Sequence, residues 1–204
     1  LQIQPNMSNT QQPQGMVPNM NHGGHELFDA HEVLSGLINV LDQYQLFDQH
    51  IKDQELKAIL NHQYTFVTDV YNIAVEAFST GKKPTHVSQP YEMKQNNDVI
   101  YGLTPSQPKK PNQSVNEMNE QGVSGHMLGL IKSSASLLAM TAPEITNPVL
   151  RRVIADSVPN FIEMAYEIFL YQNKHRYYQV AQLAPQDMTQ MIKGFGPSTK
   201  NIIN

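Results

Sequence analysis

The stretch NPVLRRVIADSVPNFIEMAYEIFLYQ, residues 147–172, decides the fold. Asn147 is a strong helix N-cap, because its side-chain oxygen can accept from an otherwise unpaired N–H of the first turn. Pro148 follows at the first helical position, where a missing N–H costs nothing. Leu150, Ile154, Phe161, Ala165 and Ile168 then recur at helical spacing and fall within about 60° of arc. This spacing predicts one long helix from Asn147 to Leu183 with a single buried stripe. Asp156, Glu163 and Glu167 are expected on the opposite, outer face. Pro159 belongs to that side too, where a kink can bend the helix round a core at a cost of about 3 kcal/mol. Such a helix is not stable alone in water and needs partners for its apolar face.

Three further helical stretches supply the partners. The first runs from about His25 to Phe47, with Leu27, Leu34, Leu37, Ile38, Leu41 and Tyr44 toward the core. The second runs from Asp53, a natural N-cap, to Ser79, with Leu56, Ile59, Leu60, Phe66, Val67 and Val70 in its stripe and Gly81 as its stop. The third runs from about Val115 to Ala142, with Met127, Leu130, Ile131, Leu137 and Leu138 inward. Gln186 to Lys193 can form a short fifth helix. The short link between the first two makes them antiparallel neighbours.

Shifting the chain by 94 places Leu34 on Leu128, Leu37 on Ile131, Ile51 on Ile145, Leu56 on Leu150 and Leu60 on Ile154. This weak repeat describes two helical hairpins. Between them, Thr80–Asn116 is punctuated by Pro84, Pro90, Pro105, Pro108 and Pro111 and is long enough to cross the length of a bundle. The expected fold is therefore all-α: a ferritin-like four-helix bundle, two helical hairpins joined by a long crossover, with a short C-terminal helix. The domain plan is a Gln/Asn/Pro/Met-rich tail at 1–24, a bundle at 25–194 with a crossover strap at 80–116, and a C-terminal tail at 195–204.

Composition narrows the chemistry. The 204 residues include no cysteine, which excludes disulfides, thiolate catalysis and thiolate metal sites. A net charge of -4 argues against a general nucleic-acid binder and gives little electrostatic protection against self-association. No apolar run reaches membrane-spanning length. Leu1–Asn21 has no basic n-region and no apolar core, so no signal peptide is expected there.

A bundle of this kind invites comparison with di-metal carboxylate centres, which use one Glu from each of two helices and a Glu-x-x-His from each of the other two. Glu26 and Glu120 are equivalent under the 94-residue shift, as are His62 and Asp156, and Asp69 and Glu163. Glu26, His62 and Glu120 are the candidate metal ligands. Against them, no Glu-x-x-His occurs in the sequence, and Asp69, Glu76, Asp156 and Glu163 read as solvent-facing. His22, His25, Glu26, Asp29, His31 and Glu32 crowd the start of the first helix, where an adventitious surface metal could bind. The competing reading is a polar helix start whose acids complement the helix dipole. No Ser-His-acid grouping or Gly-x-Ser-x-Gly turn points to nucleophilic catalysis, and Gly122, Gly125 and Gly129 follow no strand. The expectation is no catalytic residue, no cofactor and no metal.

The segment Ala142–Pro143–Glu144–Ile145–Thr146–Asn147–Pro148–Val149–Leu150–Arg151–Arg152 resembles the turn of spore coat protein F family domains, where Asn-Pro-x-Leu-Arg links two long helices. A Tyr-rich helix end follows there. Here it is Phe169, Tyr171, His175, Tyr177 and Tyr178. Gly24–His25–Glu26–Leu27, after an amide-rich tail, is similar to the start of such proteins. The resemblance covers residues 24 to 184. It implies a structural protein of bacterial endospore coats, without enzymatic activity or cofactor, located in the coat or an outer spore layer. Pro159 and the length of the crossover depart from the family's compact form.

The functions so framed are a helical building block that binds itself or other spore coat proteins, and, as the alternative, a degenerate ferritin-like metal-binding protein or oxidase using Glu26 and Glu120. A cross-linking substrate, through Tyr177, Tyr178 and the glutamines, is a third reading. The polar segments Leu1–Gly24 and Thr80–Asn116 offer little apolar area against an ordering cost of about 1–2 kcal/mol per residue. At least one is therefore expected to order against another subunit.

Overall fold

The computed structural model describes residues 22–198. It is all-helical, with α1 (Gly24–Asp48), α2 (Gln54–Thr80), α3 (Glu120–Thr141), α4 (Pro148–Lys174) and α5 (Pro185–Ile192). Among the described residues the sole β pairing is one bridge between Tyr101 and Val180.

The caps read from the sequence are in place. Asp53 accepts from the Leu56 N–H at 2.9 Å, and Asn147 accepts from the N–H groups of Val149 and Leu150 at 3.0 Å each. Gly81 closes α2 at φ 63°, a left-handed conformation that glycine adopts without a Cβ penalty.

α1 packs along α2 and α3 along α4, while α1 also meets α3 and α2 meets α4. Polar contacts fix the directions. Asn147, at the start of α4, donates to the Gly81 carbonyl at the end of α2. Lys174, at the end of α4, pairs with Glu55 at the start of α2 at 2.8 Å. α2 and α4 are therefore antiparallel. The starts of α1 and α4 share one end of the molecule, the closed end below. The starts of α2 and α3 share the other, the open end. The segment between α2 and α3 thus travels the length of the molecule. One core joins all four long helices, with Tyr44, Leu56, Ile131, Phe161 and Ile168 fully enclosed.

Four expectations change. The buried side of α1 is Glu26, Ala30, Val33, Leu37, Val40 and Tyr44, whereas Leu27 and Ile38 are 40% and 41% exposed. The larger Leu and Ile residues lie roughly 90° round the helix from that seam, where small Ala and Val side chains let the neighbouring helices approach. α3 begins at Glu120 rather than Val115, because Asn119 caps it and Met118 is extended. Val115–Glu117 is only a single 3-10 turn.

α4 ends at Lys174, not Leu183. Tyr177 N–H reaches the Gln172 carbonyl at 2.8 Å and Arg176 N–H reaches that of Asn173 at 3.0 Å, the paired bonds of a Schellman cap. Arg176 occupies the left-handed position at φ 61°, where glycine is usual, so no glycine announced the stop. The fourth change is Glu167, expected outward and found fully buried. It lies about 120° from the centre of the α4 stripe, on the flank that the crossover covers. Pro159, Asp156 and Glu163 do face solvent.

Candidate functional site

The crossover is held by polar side chains of α4 in its own chain. Asn160 accepts the Tyr91 N–H at 2.9 Å. Glu167 accepts the Lys94 N–H at 3.0 Å and the Tyr91 hydroxyl. Asn173 accepts the Ile100 N–H at 2.6 Å and donates back to the Ile100 carbonyl at 3.0 Å. Gln179 exchanges bonds with Thr104. Asn160 and Glu167, two turns apart, share one flank of α4, while Asn173 in its last turn and Gln179 beyond its end hold the later part of the crossover. The crossover, expected as one of two segments that could order on another subunit, is bonded here to side chains of the same molecule, with Tyr91 buried. Residues 1–21 of the amide-rich tail lie outside the described residues.

Glu167 opens onto a buried polar network. Gln63 of α2 donates to it at 3.2 Å and to the Met164 carbonyl at 3.0 Å, while accepting the Tyr44 hydroxyl at 2.7 Å. His62 stacks on Tyr91, its Nδ1 3.1 Å from the Tyr91 hydroxyl. Burial, then the Glu167 carboxylate, pushes the Tyr91 phenol far above the usual tyrosine range, so it serves as a donor. Burial and Glu167 act on Tyr44 in the same direction. The sequence signal for this network was Gln63, a polar residue inside the stripe Leu56, Leu60, Val67, Val70. A buried amide there must find partners.

The candidate ligands Glu26, His62 and Glu120 do not share a site. Glu26 sits at the closed end, almost fully buried. It accepts from the Thr146 N–H at 2.8 Å, the Thr146 hydroxyl, the Asn147 N–H at 3.1 Å and the Gly23 N–H at 3.3 Å. His22 Nδ1 lies 2.5 Å from it and His22 Nε2 lies 2.8 Å from the Phe78 carbonyl. Burial alone would raise the Glu26 carboxyl. The Thr146 and His22 side chains and the N–H groups of Thr146 and Asn147 outweigh it and hold the group below the usual glutamate range.

Glu120 sits at the open end, partly exposed, and accepts the Lys52 N–H at 3.0 Å. Its own N–H and that of Lys52 lower its pKa against a smaller effect of burial. Lys52 and Thr146 are themselves 94 residues apart, as are Asp53 and Asn147. Each glutamate therefore clamps the equivalent turn before a capped helix, one at each end. Among the described residues no group of three or more His, Asp or Glu side chains is placed to hold a metal ion. His25 pairs with Asp29 at 2.9 Å, apart from the His22–Glu26 contact.

The Tyr-rich end of α4 is packed: Tyr171 stacks against His175 at 4.4 Å, and Phe169 meets Tyr178 edge-on at 5.2 Å. Open space gathers at this end. A cleft of about 820 Å³ lies between Leu103–Asn112 of the crossover, the start of α3, and Arg176, Tyr177 and Gln179. A more apolar groove of about 460 Å³ is lined by Leu46, Phe47, Val115 and Met118. Among the described residues no helix is long and apolar enough to cross a membrane.

Together these elements define an all-α scaffold whose inward polar groups tie its own turns and crossover. Residues 119–181 match the Coat F domain family. The chain is 52% identical to the spore coat protein F-like protein YhcQ of Bacillus subtilis (strain 168) over 176 residues, covering 86% of this chain and 81% of that protein. No solved structure matches. The chain belongs to the spore coat protein F family.

Proposed function

We propose that the chain is a non-enzymatic structural element of the bacterial endospore coat that associates with itself or with other coat proteins. Its membership of the spore coat protein F family is the observation that carries this reading. The geometry agrees with it. Glu26 and Glu167, the carboxylates buried among the described residues, and Glu120 are each committed to backbone N–H groups of the chain itself.

The arrangement proposed is a ferritin-like bundle of two hairpins, residues 25–194, with 1–24 and 195–204 as flanking tails. Antiparallel α2 and α4 and a crossover spanning both ends support that arrangement. A fluorescent fusion imaged in a sporulating host tests the location: it is expected to form a shell round the developing spore. Signal spread evenly through the mother cell would overturn it. Elemental analysis of the purified protein tests the absence of a resident metal, and stoichiometric iron or manganese would contradict it.

A further inference from the structure

Beyond the cap of α4, every residue from 181 to 198 is exposed. Within α5, Met188, Met191 and Ile192 fall within about 100° of arc, and Phe195 continues the stripe just past the helix end. Gln186, Gln190 and Lys193 occupy the opposite side, and Asp187 and Thr189 flank the stripe. Met191, Ile192 and Phe195 are 65%, 74% and 93% exposed. Eight residues make too short a helix to be stable in water by themselves, and such a stripe is what a helix presents when it lies in a groove.

The same chain carries a groove of matching character. Leu46 and Val115, 61% and 62% exposed, line it with Phe47 and Met118, and the amides Gln49 and Asn112 belong to its wall. The groove is lined by no carboxylate, with His50, Gln113 and Ser114 completing its wall. Neither centre requires a charge to be desolvated. Met adapts its shape to an uneven groove.

We propose that α5 docks its Met188–Phe195 face into the Leu46–Val115 groove of a second copy of the chain, and that the second copy's α5 returns the contact. Area argues for the exchange. One docked helix buries roughly 800 Å² counted on both sides, the size of a weak contact, whereas two bury roughly 1,600 Å², the size of a stable interface. A reciprocal exchange is also the self-complementary geometry of a two-fold dimer. The proposal rests on the self-association reading above and names the surface that carries it.

The test is light scattering on the full chain over a concentration series, with Ile192→Glu and Leu46→Glu. Both positions are exposed, so each variant should keep its melting temperature as a monomer. The wild type is expected to dimerise and each variant to bind itself at least about a hundredfold more weakly, since a carboxylate would enter an apolar centre. An equimolar mixture of the two variants should form a heterodimer through its one intact docking, weaker than the wild-type dimer and tighter than either variant with itself. If the wild type assembles and the variants assemble equally well, the docking is wrong and self-association stands. Assembly lost in Ile192→Glu but kept in Leu46→Glu would overturn the groove as receptor. A lowered melting temperature for monomeric Ile192→Glu would place α5 on its own body and overturn the exchange. A wild type that stays monomeric throughout would remove both.

Discussion

Glu26 and Glu120 stand 94 residues apart and do the same job at opposite ends of the molecule, yet their settings differ. Glu26 is enclosed, with donors from Gly23, Thr146, Asn147 and His22 converging on it. Glu120 is partly exposed and holds the Lys52 N–H beside open clefts. One clamp is a buried lock and the other a surface fastening. The closed end resists opening, and the open end leaves room for contacts.

The sharpest way to break this contrast is to remove each carboxylate. Glu26→Ala strands the buried Asn147 N–H and His22 ring, with half-buried donors beside them, and is expected to cost about 3–5 kcal/mol in chemical denaturation, since each unpaired buried group costs about 1–3 kcal/mol. A loss under about 1 kcal/mol would show that the closed end is not locked there. Acid should expose the same difference. A carboxyl whose folded pKa is depressed contributes stability above its unfolded value of about 4.3, and that contribution is lost as pH falls through the folded pKa. Urea midpoints measured from pH 7 to pH 3 should therefore fall less steeply in Glu26→Gln than in the wild type. An unchanged acid slope would contradict the assignment.

Glu120→Ala should cost only about 1 kcal/mol, because water can reach the donors it leaves behind. A loss matching that of Glu26→Ala would erase the distinction between the ends. The smallest effect concerns the helix caps. α2 stops on glycine at the closed end, while α4 stops on Arg176 in the same left-handed conformation at the open end. Arg176→Gly relieves that conformation but loosens the unfolded chain, so stability should stay within about 1 kcal/mol, on the stabilising side. A large loss would mean that the guanidinium makes a contact worth more than the strain.

Much of the fold was legible because its signals are local. Asp53, Asn147, Pro148 and Gly81 act on their own turns, and the 94-residue repeat brought Glu26 and Glu120 together as equivalents. Their candidacy as metal ligands would have needed one shared site, and the structure sets them apart. Equivalence under a sequence repeat does not bring two residues into one place, and these two lie at opposite ends of the molecule. Glu167, Asn160 and Asn173 were illegible because their burial comes from a segment some 70 residues away in sequence. No helical period contains that fact. The end of α4 was missed because Arg176 takes a conformation that its residue type does not advertise.

The crossover's fastening also has a consequence in time. Its N–H groups at Tyr91, Lys94 and Ile100 are bonded to side chains of α4, in a segment with no helical ladder of its own. Deuterium exchange should therefore be slow at those three amides and fast at most of those between them, a comb rather than a block. Uniformly fast exchange from 91 to 100 would mean that the crossover detaches far more often than the helices beneath it open. With the comb in place, the slowest-opening parts of the molecule include a stretch of coil.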